Sequence, residues 1–286
     1  MVSPKISVVI PTLGEETLKQ TIFSLNRSSI IPEEILICIP EGYASDDLSS
    51  ISNNIKILKT KVKGQVQQRI EGFKNISFDY VLQVDSDLVL DKFCLENLFK
   101  RIKNSDASAV GPKLFDIKTK KYFSTSIPND NTKLSLSEKI FFFNMNGKEG
   151  FKSGKISKSG EPMGIVEDGF FEGLDWLPGA CILHEKKNLI LYDYYNFKGK
   201  AFAEDLYHSF ELKKRGISLL RDDNAKCYVD FSSSKSKNFN SYFMIIFNSF
   251  KPKKIFRNKV QASHTRFYMF LLLNFLKSFF NLFHRK

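Results

Sequence analysis

No CxxC pair occurs anywhere in the chain. The four cysteines, Cys38, Cys94, Cys181 and Cys227, stand far apart. That excludes a zinc ribbon or a disulfide framework and fits a reducing compartment. Arginine is scarce, with eight among 43 basic residues, and Trp176 is the one tryptophan beside 28 phenylalanines. The opening Met1-Val2-Ser3-Pro4-Lys5 runs straight into a strand-like segment, without the long apolar stretch of a secretory leader, so a cytoplasmic location is expected. Acidic residues stop at Asp230. From 231 to 286 there are eleven Lys and Arg and no Asp or Glu, whereas the first 230 residues hold 32 basic and 31 acidic side chains. The net charge of +12 therefore belongs to the tail, and a partner argument from charge applies there.

What is present is ordinary globular material. The 286 residues, 42% apolar and 26% charged, suit one large domain or two modest ones. Ile6–Ile10, Glu34–Ile39, Ile55–Leu58 and Tyr80–Val84 are short apolar runs that read as buried strands, two of them closed by Pro11 and Pro40. Between and after them, Leu18/Ile22/Leu25, Gly64–Lys74 and Leu95/Leu98/Phe99/Ile102 have helical character, with Thr17 placed to cap the first. Ala109–Phe115 and Ala180–Leu183 are strand-like, Glu204–Arg215 is a helix ended by Gly216, and Ile217–Leu220 and Lys226–Val229 are short strands. The stretch from Thr119 to Gly173, rich in Lys, Ser, Asn and Gly, suits either a loop over a site or a surface insertion. Strands alternating with helices predict a mostly parallel α/β sheet with helices on both faces, and ligands then sit at the carboxyl ends of its strands.

Two acidic pairs stand out against that frame. Asp85-Ser86-Asp87 follows the fourth strand directly. Two carboxylates at i and i+2 can share a hard divalent cation whose remaining ligands are substrate phosphates. A DxD triplet alone also suits a solvated turn; its place at the strand's end favours the ligand role. Glu204-Asp205 opens a helix, where carboxylates complement the macrodipole or serve as a catalytic base.

Taken together the segments resemble family 2 glycosyltransferases with the GT-A fold, over about Lys5 to Asp230. The segments that carry the resemblance are ISVVIPTLG, EILICIPEG, GQVQQRIEGFK, YVLQVDSDLVL, WLPGACILHEK and FAEDLYHSFELKKRG, in that order. The resemblance implies a Rossmann-like GT-A domain over 1–230, with a nucleotide-sugar-binding half at 1–115 and an acceptor half at 116–230. It implies that Pro11, Thr12, Glu41, Arg69 and Asp85 meet the nucleotide and that Asp87 with Asp85 holds Mn2+ or Mg2+. On the same ground Trp176 and Gly179 shape the acceptor side, and Asp205 is the base with Glu204 supporting it. The sequence departs from the family pattern in two places. The second strand leads into Pro40-Glu41-Gly42-Tyr43 without the usual Asp, so Glu41 substitutes or Tyr43 stacks. A late metal-ligating His is absent, which leaves Asp230 as the candidate ligand and His208 as a structural residue.

The tail, 231–286, completes the reading. Phe267–Phe283 is a 17-residue apolar segment, short for a span, with Asn274, Lys277, Ser278 and Asn281 on one helical stripe. Lys251, Lys253, Lys254, Arg257 and Lys259 precede it, interleaved with Phe239, Tyr242, Phe243, Phe247 and Phe250. This is the pattern of a helix lying in the interface of an anionic membrane. The competing readings are a last helix that packs on the body or on a second subunit, one that spans a thin bilayer, and a nucleic-acid-binding tail, against which the wide Leu/Phe face argues. The expectation is an inverting, metal-dependent enzyme at the cytoplasmic membrane face. It would move a sugar from a nucleotide-diphosphate donor to a lipid-linked or surface glycan, in bacterial cell-envelope polysaccharide assembly. The alternatives are a sugar nucleotidyltransferase, disfavoured by the acidic loop Pro11–Glu16, and an inactive membrane-bound scaffold of the same fold.

Overall fold

The computed structural model describes residues 4–44, 48–106, 108–130, 133–169, 172–197, 201–230 and 239–283, apart from the side chains of 239–243 and 277–283. The chain forms two compact units. Unit 1 is Met1–Phe123 with Asp168–Phe231; unit 2 is Ser124–Glu167 with Ser232–Lys286. The contacts thus divide the chain differently from the boundary drawn at 230/231, because the segment 124–167 groups with the tail.

Unit 1 is built on one eight-stranded sheet. Its strands are β1 (Ile6–Pro11), β2 (Glu34–Pro40), β3 (Ile55–Thr60), β4 (Tyr80–Val84), β5 (Leu88–Leu90), β6 (Ser108–Asp116), β7 (Cys181–Glu185) and β8 (Ser218–Val229), in the order β3-β2-β1-β4-β7-β6-β8-β5. The block β3-β2-β1-β4 is parallel throughout. Beyond it β7 runs antiparallel to both β4 and β6, β8 runs parallel to β6, and β5 antiparallel to β8. The parallel expectation therefore holds for the first half, and the second half is mixed. The two short strands expected near the end are one, β8, which loops out three residues between Asp222 and Lys226 opposite Pro112/Lys113.

The continuous apolar runs follow from burial on both faces. Side chains alternate across a strand. Ile6, Val8 and Ile10 of β1 join Ile35, Ile37, Leu82 and Val84 in the larger core, with Leu18, Ile22 and Leu25 of helix α1 (Thr17–Asn26) and Leu95, Leu98 and Ile102 of α3 (Cys94–Lys103). Val9, Leu36, Cys38 and Val81 face the other way, onto Phe73 of α2 (Gln65–Lys74). Thr17 is the first helical residue of α1, and no side chain caps that helix. The fit of α2 on the sheet depends on Gly72, where a β-carbon would lie 2.5 Å from Val9 Cγ1 and 2.6 Å from Cys38 Sγ. Helix α5 (Glu204–Lys214) is the last of unit 1. His184 of β7 and His208 of α5 are fully buried, their ring centroids 5.4 Å apart, and none of their four ring nitrogens has a hydrogen-bond partner among the described residues.

Unit 2 contains α4 (Leu136–Asn146), α6 (Phe239–Lys259) and α7 (His264–Phe283). Ser135 and Glu138 form a reciprocal capping box at the start of α4. Its core joins Phe142 and Met145 of α4 to Met163 and to Phe270 of α7. No helix among the described residues is long and apolar enough to cross a membrane.

Two outcomes follow. Gly72→Ala must push β1 and α2 apart, and a melt in urea should show a loss of about 1–3 kcal/mol; an unchanged midpoint would contradict the close approach. The second concerns His208. Burial first, and then the charge of Arg69, depress its pKa to about 3. Between an unfolded value near 6.5 and about 3 the unfolded chain binds a proton that the native chain does not, so stability falls as pH drops through that window. His208→Leu should flatten the stability–pH slope between pH 6 and 4 by up to about 1.4 kcal/mol per pH unit. Parallel slopes for wild type and variant would contradict a neutral buried imidazole.

Candidate functional site

The carboxyl ends of β1 and β4 open onto a cleft of about 690 Å³ in unit 1, lined by Pro11, Thr12, Leu13, Glu15, Lys63, Gly64, Gln65, Gln68, Asp85, Ser86, Asp87 and Ala201. Its floor is stitched by side chains that sequence patterns treat as solvated. Gln68 Nε2 donates to the carbonyls of Thr12 (2.8 Å) and Cys38 (2.6 Å), joining the ends of β1 and β2. Glu15 accepts from the Thr12 hydroxyl at 2.5 Å and from Ser86 Oγ at 3.1 Å, which ties the first loop to the DxD turn. Burial pushes the Glu15 carboxyl up, but these bonds and that from the Leu13 amide outweigh it and hold it below its ordinary value. Thr21 of α1 donates to the Ser86 carbonyl at 3.0 Å, and the Asp85 amide donates to Ala180 O at 2.9 Å. The DxD turn is thus held from three sides.

Beneath the turn lies a buried cation. Arg69 of α2 is 2% exposed. Its Nη1 donates to Glu204 Oε1 and its Nη2 lies 3.1 Å from Asp85 Oδ1. Gln65 Nε2 donates to the same Asp85 oxygen at 2.8 Å, and the Tyr194 hydroxyl donates to Glu204 Oε1 at 2.7 Å. One guanidinium therefore serves two carboxylates, with Asp87 close by. The imbalance shows in Asp85. Burial raises its pKa first, Arg69 opposes this, and Glu204 and Asp87 add to the rise, which brings it to about 7. The site carries more negative charge than its own cation offsets, and a further cation would restore the ionised form.

Glu204 opens α5 from a strained approach: Ala203, directly before it, has φ 61° and ψ 20°, the left-handed region that non-glycine residues avoid. Gly179 leaves room for the Glu204 carboxylate, since a β-carbon there would sit 2.7 Å from Glu204 Oε2. The carbonyl of Gly179 accepts from the buried Gln83 of β4.

Of the residues expected at the site, Pro11, Thr12, Asp85 and Asp87 line the cleft. Arg69 and Glu204 form the layer below, and Gly179 packs on Glu204. Asp205 stands half-buried in the first turn of α5 and accepts from the Leu206 amide. Trp176 is buried rather than facing the cleft. Glu41 is exposed and is not among the lining residues; its neighbour Tyr43 instead receives the ammonium of the lining residue Lys63, at 2.5 Å from the hydroxyl and 5.1 Å from the ring centre. Asp230 pairs with Lys118 at 3.1 Å and does not line the cleft. Glu15, Lys63, Gln65 and Gln68 were not expected there. Their signal was position alone, since each borders a strand-end loop.

Asp85 and Asp87 are hard oxygen donors beside open volume, which suits Mg2+ or Mn2+ completing its shell with phosphate and water. No cluster of three or more His, Cys, Asp or Glu side chains arranged to hold a metal occurs among the described residues. A protein-only cage is therefore not what these residues offer.

Comparison with known proteins agrees with this architecture. No curated protein matches the chain in sequence. Among solved structures the chain is similar to S. aureus TarS 1-349 (18% identity, TM-score 0.48, covering 85% of this chain and 65% of that one). It is also similar to GalNAc-T7 with UDP, GalNAc and Mn2+ (12% identity, TM-score 0.56, covering 93% of this chain and 56% of that one). The chain thus spans less than two thirds of either structure, and at these identities the likeness to GalNAc-T7 speaks for the fold: GT-A, a mixed sheet with flanking helices. The model of the family described as "Glycosyl transferase family 2" matches residues 7–157, from β1 through the cleft loops, the DxD turn and α4. More than half of the chain fits that model, and the chain belongs to glycosyl transferase family 2.

Proposed function

We propose that the protein transfers a glycosyl group from a nucleoside-diphosphate sugar to a hydroxyl of a glycan or lipid-linked acceptor, with inversion at the anomeric carbon. The observation that carries this reading is the cleft at the strand ends, where Asp85 and Asp87 face open space inside a family 2 domain. Pro11, Thr12 and Gln68 offer the walls for the nucleotide, and Lys63 is the one Lys or Arg among the lining residues, available to a diphosphate. A divalent ion held by Asp85 and Asp87 would supply charge compensation to the departing diphosphate. The Asp205 carboxylate takes the proton of the acceptor hydroxyl. The acceptor oxygen bonds to the anomeric carbon as the bond from that carbon to the diphosphate oxygen breaks, through an oxocarbenium-like transition state, and the nucleoside diphosphate leaves. Glu204 is held to Arg69 and Tyr194, so it positions the first turn of α5 and is not free to act as base.

The same proposal places the work at the cytoplasmic face of an anionic membrane, in assembly of cell-envelope polysaccharide. The cationic, acid-free stretch 231–286 and the apolar helix α7 support it. Of the tail residues behind this reading, the side chains of Phe239, Tyr242, Phe243, Lys277, Ser278 and Asn281 lie outside the described ones. A nucleotidyltransferase would need a basic, glycine-rich phosphate loop after β1; the acidic Glu15 lines the cleft instead.

Asp205→Asn should leave donor binding intact and lower kcat by about 10²- to 10⁴-fold. Turnover within a few-fold of wild type would remove Asp205 as the base. Arg69→Met leaves the buried Glu204 and the partly exposed Asp85 without their cation, and denaturation should register a loss of about 3–5 kcal/mol. A loss below about 1 kcal/mol, the range of surface pairs, would contradict a central role for that ion network.

A further inference from the structure

The division into units redistributes the charge. Unit 1 holds 26 Lys and Arg and 26 Asp and Glu; unit 2 holds 17 and five. The whole net charge of +12 therefore sits on unit 2, and the segment 124–167 belongs to the cationic body along with the tail.

That body also carries exposed apolar faces. On α4, Leu136, Ile140 and Phe143 are 75%, 56% and 54% exposed and recur at i, i+4 and i+7, one stripe of the helix. The opposite face of α4, Phe142 and Met145, is already spent on packing against Met163 and Phe270. On α7, Tyr268, Met269, Leu272 and Leu276 form a second exposed stripe, while Phe267 and Phe270 are buried. Asn274 is less exposed than Leu272 and Leu276 and bonds back to the Phe270 carbonyl at 3.2 Å, so the polar stripe expected to face water begins toward the packed side. On α6, Met244, Phe247 and Ile255 are exposed beside Lys251 and Lys254. The helices are fixed to one another within the unit. Arg266 of α7 donates to the carbonyls of Phe143 (2.7 Å) and Asn144 (3.0 Å) at the end of α4. Lys253 of α6 pairs with Glu161 at 2.6 Å, and the Ser263 amide donates to Lys158 O at 2.8 Å.

We infer that α4 is a membrane-docking element, and that Leu136, Ile140 and Phe143 enter the interface of an anionic bilayer together with α6 and α7. The inference rests on the membrane reading of the tail and extends it to a helix outside the tail. Charge selects the occupant. A second copy would bring one +12 unit against another, whereas an anionic leaflet is complementary to Lys139, Lys148, Lys251 and Lys254, all exposed. Apolar stripes flanked by lysines, in a unit with no spanning helix among the described residues, are those of a body that lies on a membrane.

The test uses the full chain and phosphatidylcholine vesicles with and without phosphatidylglycerol, read by co-sedimentation. The variants are Leu136→Ser/Ile140→Ser/Phe143→Ser and, separately, Met269→Ser/Leu272→Ser/Leu276→Ser. The six positions are 39% to 75% exposed, and circular dichroism and melting check that each variant keeps the wild-type fold. Because Phe143 also lies against the Arg266 guanidinium at 5.7 Å, Leu136→Ser/Ile140→Ser is run beside the α4 triple variant and should weaken binding in the same direction. Wild type should partition onto the anionic vesicles, and each triple variant should bind at least about tenfold more weakly. If the α4 variant binds as wild type does while the α7 variant fails, the tail reading survives and the role of α4 is overturned. If wild type binds neither vesicle, the membrane reading itself falls. If sedimentation in solution shows a dimer that the α4 variant dissolves, a second copy is the occupant and the inference is wrong.

Discussion

A single guanidinium ties together the layer beneath the cleft. Arg69 comes from α2, Asp85 from the turn after β4, and Glu204 from the first turn of α5. Burying Arg69 and Glu204 costs several kcal/mol per ion, and the guanidinium fork between the acids offsets it together with the donors from Gln65 and Tyr194. The arrangement is better explained by placement than by stability. It brings the end of a parallel strand and the start of a distant helix into one layer, with the DxD turn above and the base candidate beside it. A cation on the turn, as proposed above, would offset the negative charge that Arg69 leaves unbalanced.

The legible part of the fold was the part buried on both faces. Runs such as ISVVI and EILICI have no periodicity because each strand feeds two cores, and Pro11 and Pro40 mark their ends. Strand direction has no such signature, so the antiparallel β7 was not foreseen. β5 has three residues, too few for any pattern to register, and β8 reads as two strands because the polar stretch Asp222–Asn224 breaks its apolar pattern, where the ladder loops out residues 223–225. Helix α4 escaped for another reason. Its IFFF run shows no stripe because one face packs on α7 and the other is exposed and apolar; the Ser135/Glu138 capping box at its start is seen in the structure.

The site divides in the same way. Asp85, Asp87, Glu204 and Asp205 were visible as acidic pairs at element ends. The Arg69–Glu204 contact spans 135 residues and only the folded sheet brings it about. Gln65 and Gln68 look like the wet face of a helix, and they become site residues because α2 begins at the carboxyl edge of the sheet. Glu41 and Asp230 stand where the sequence departs from the family pattern, as substitutes for its Asp and its His; one is exposed and the other pairs with Lys118.

The two units carry separable physics. One is neutral and holds the cleft; the other is cationic and exposes apolar helices. The claim that joins them to function is that the cleft binds a nucleoside diphosphate through a cation on Asp85 and Asp87. Calorimetric titration of nucleoside diphosphates into the full chain, with and without Mn2+, addresses it most directly. The account predicts that at least one nucleotide binds at least about tenfold more tightly when the metal is present, equivalent to about 1.4 kcal/mol. Equal affinity with and without Mn2+, or no binding by any of them, would contradict it.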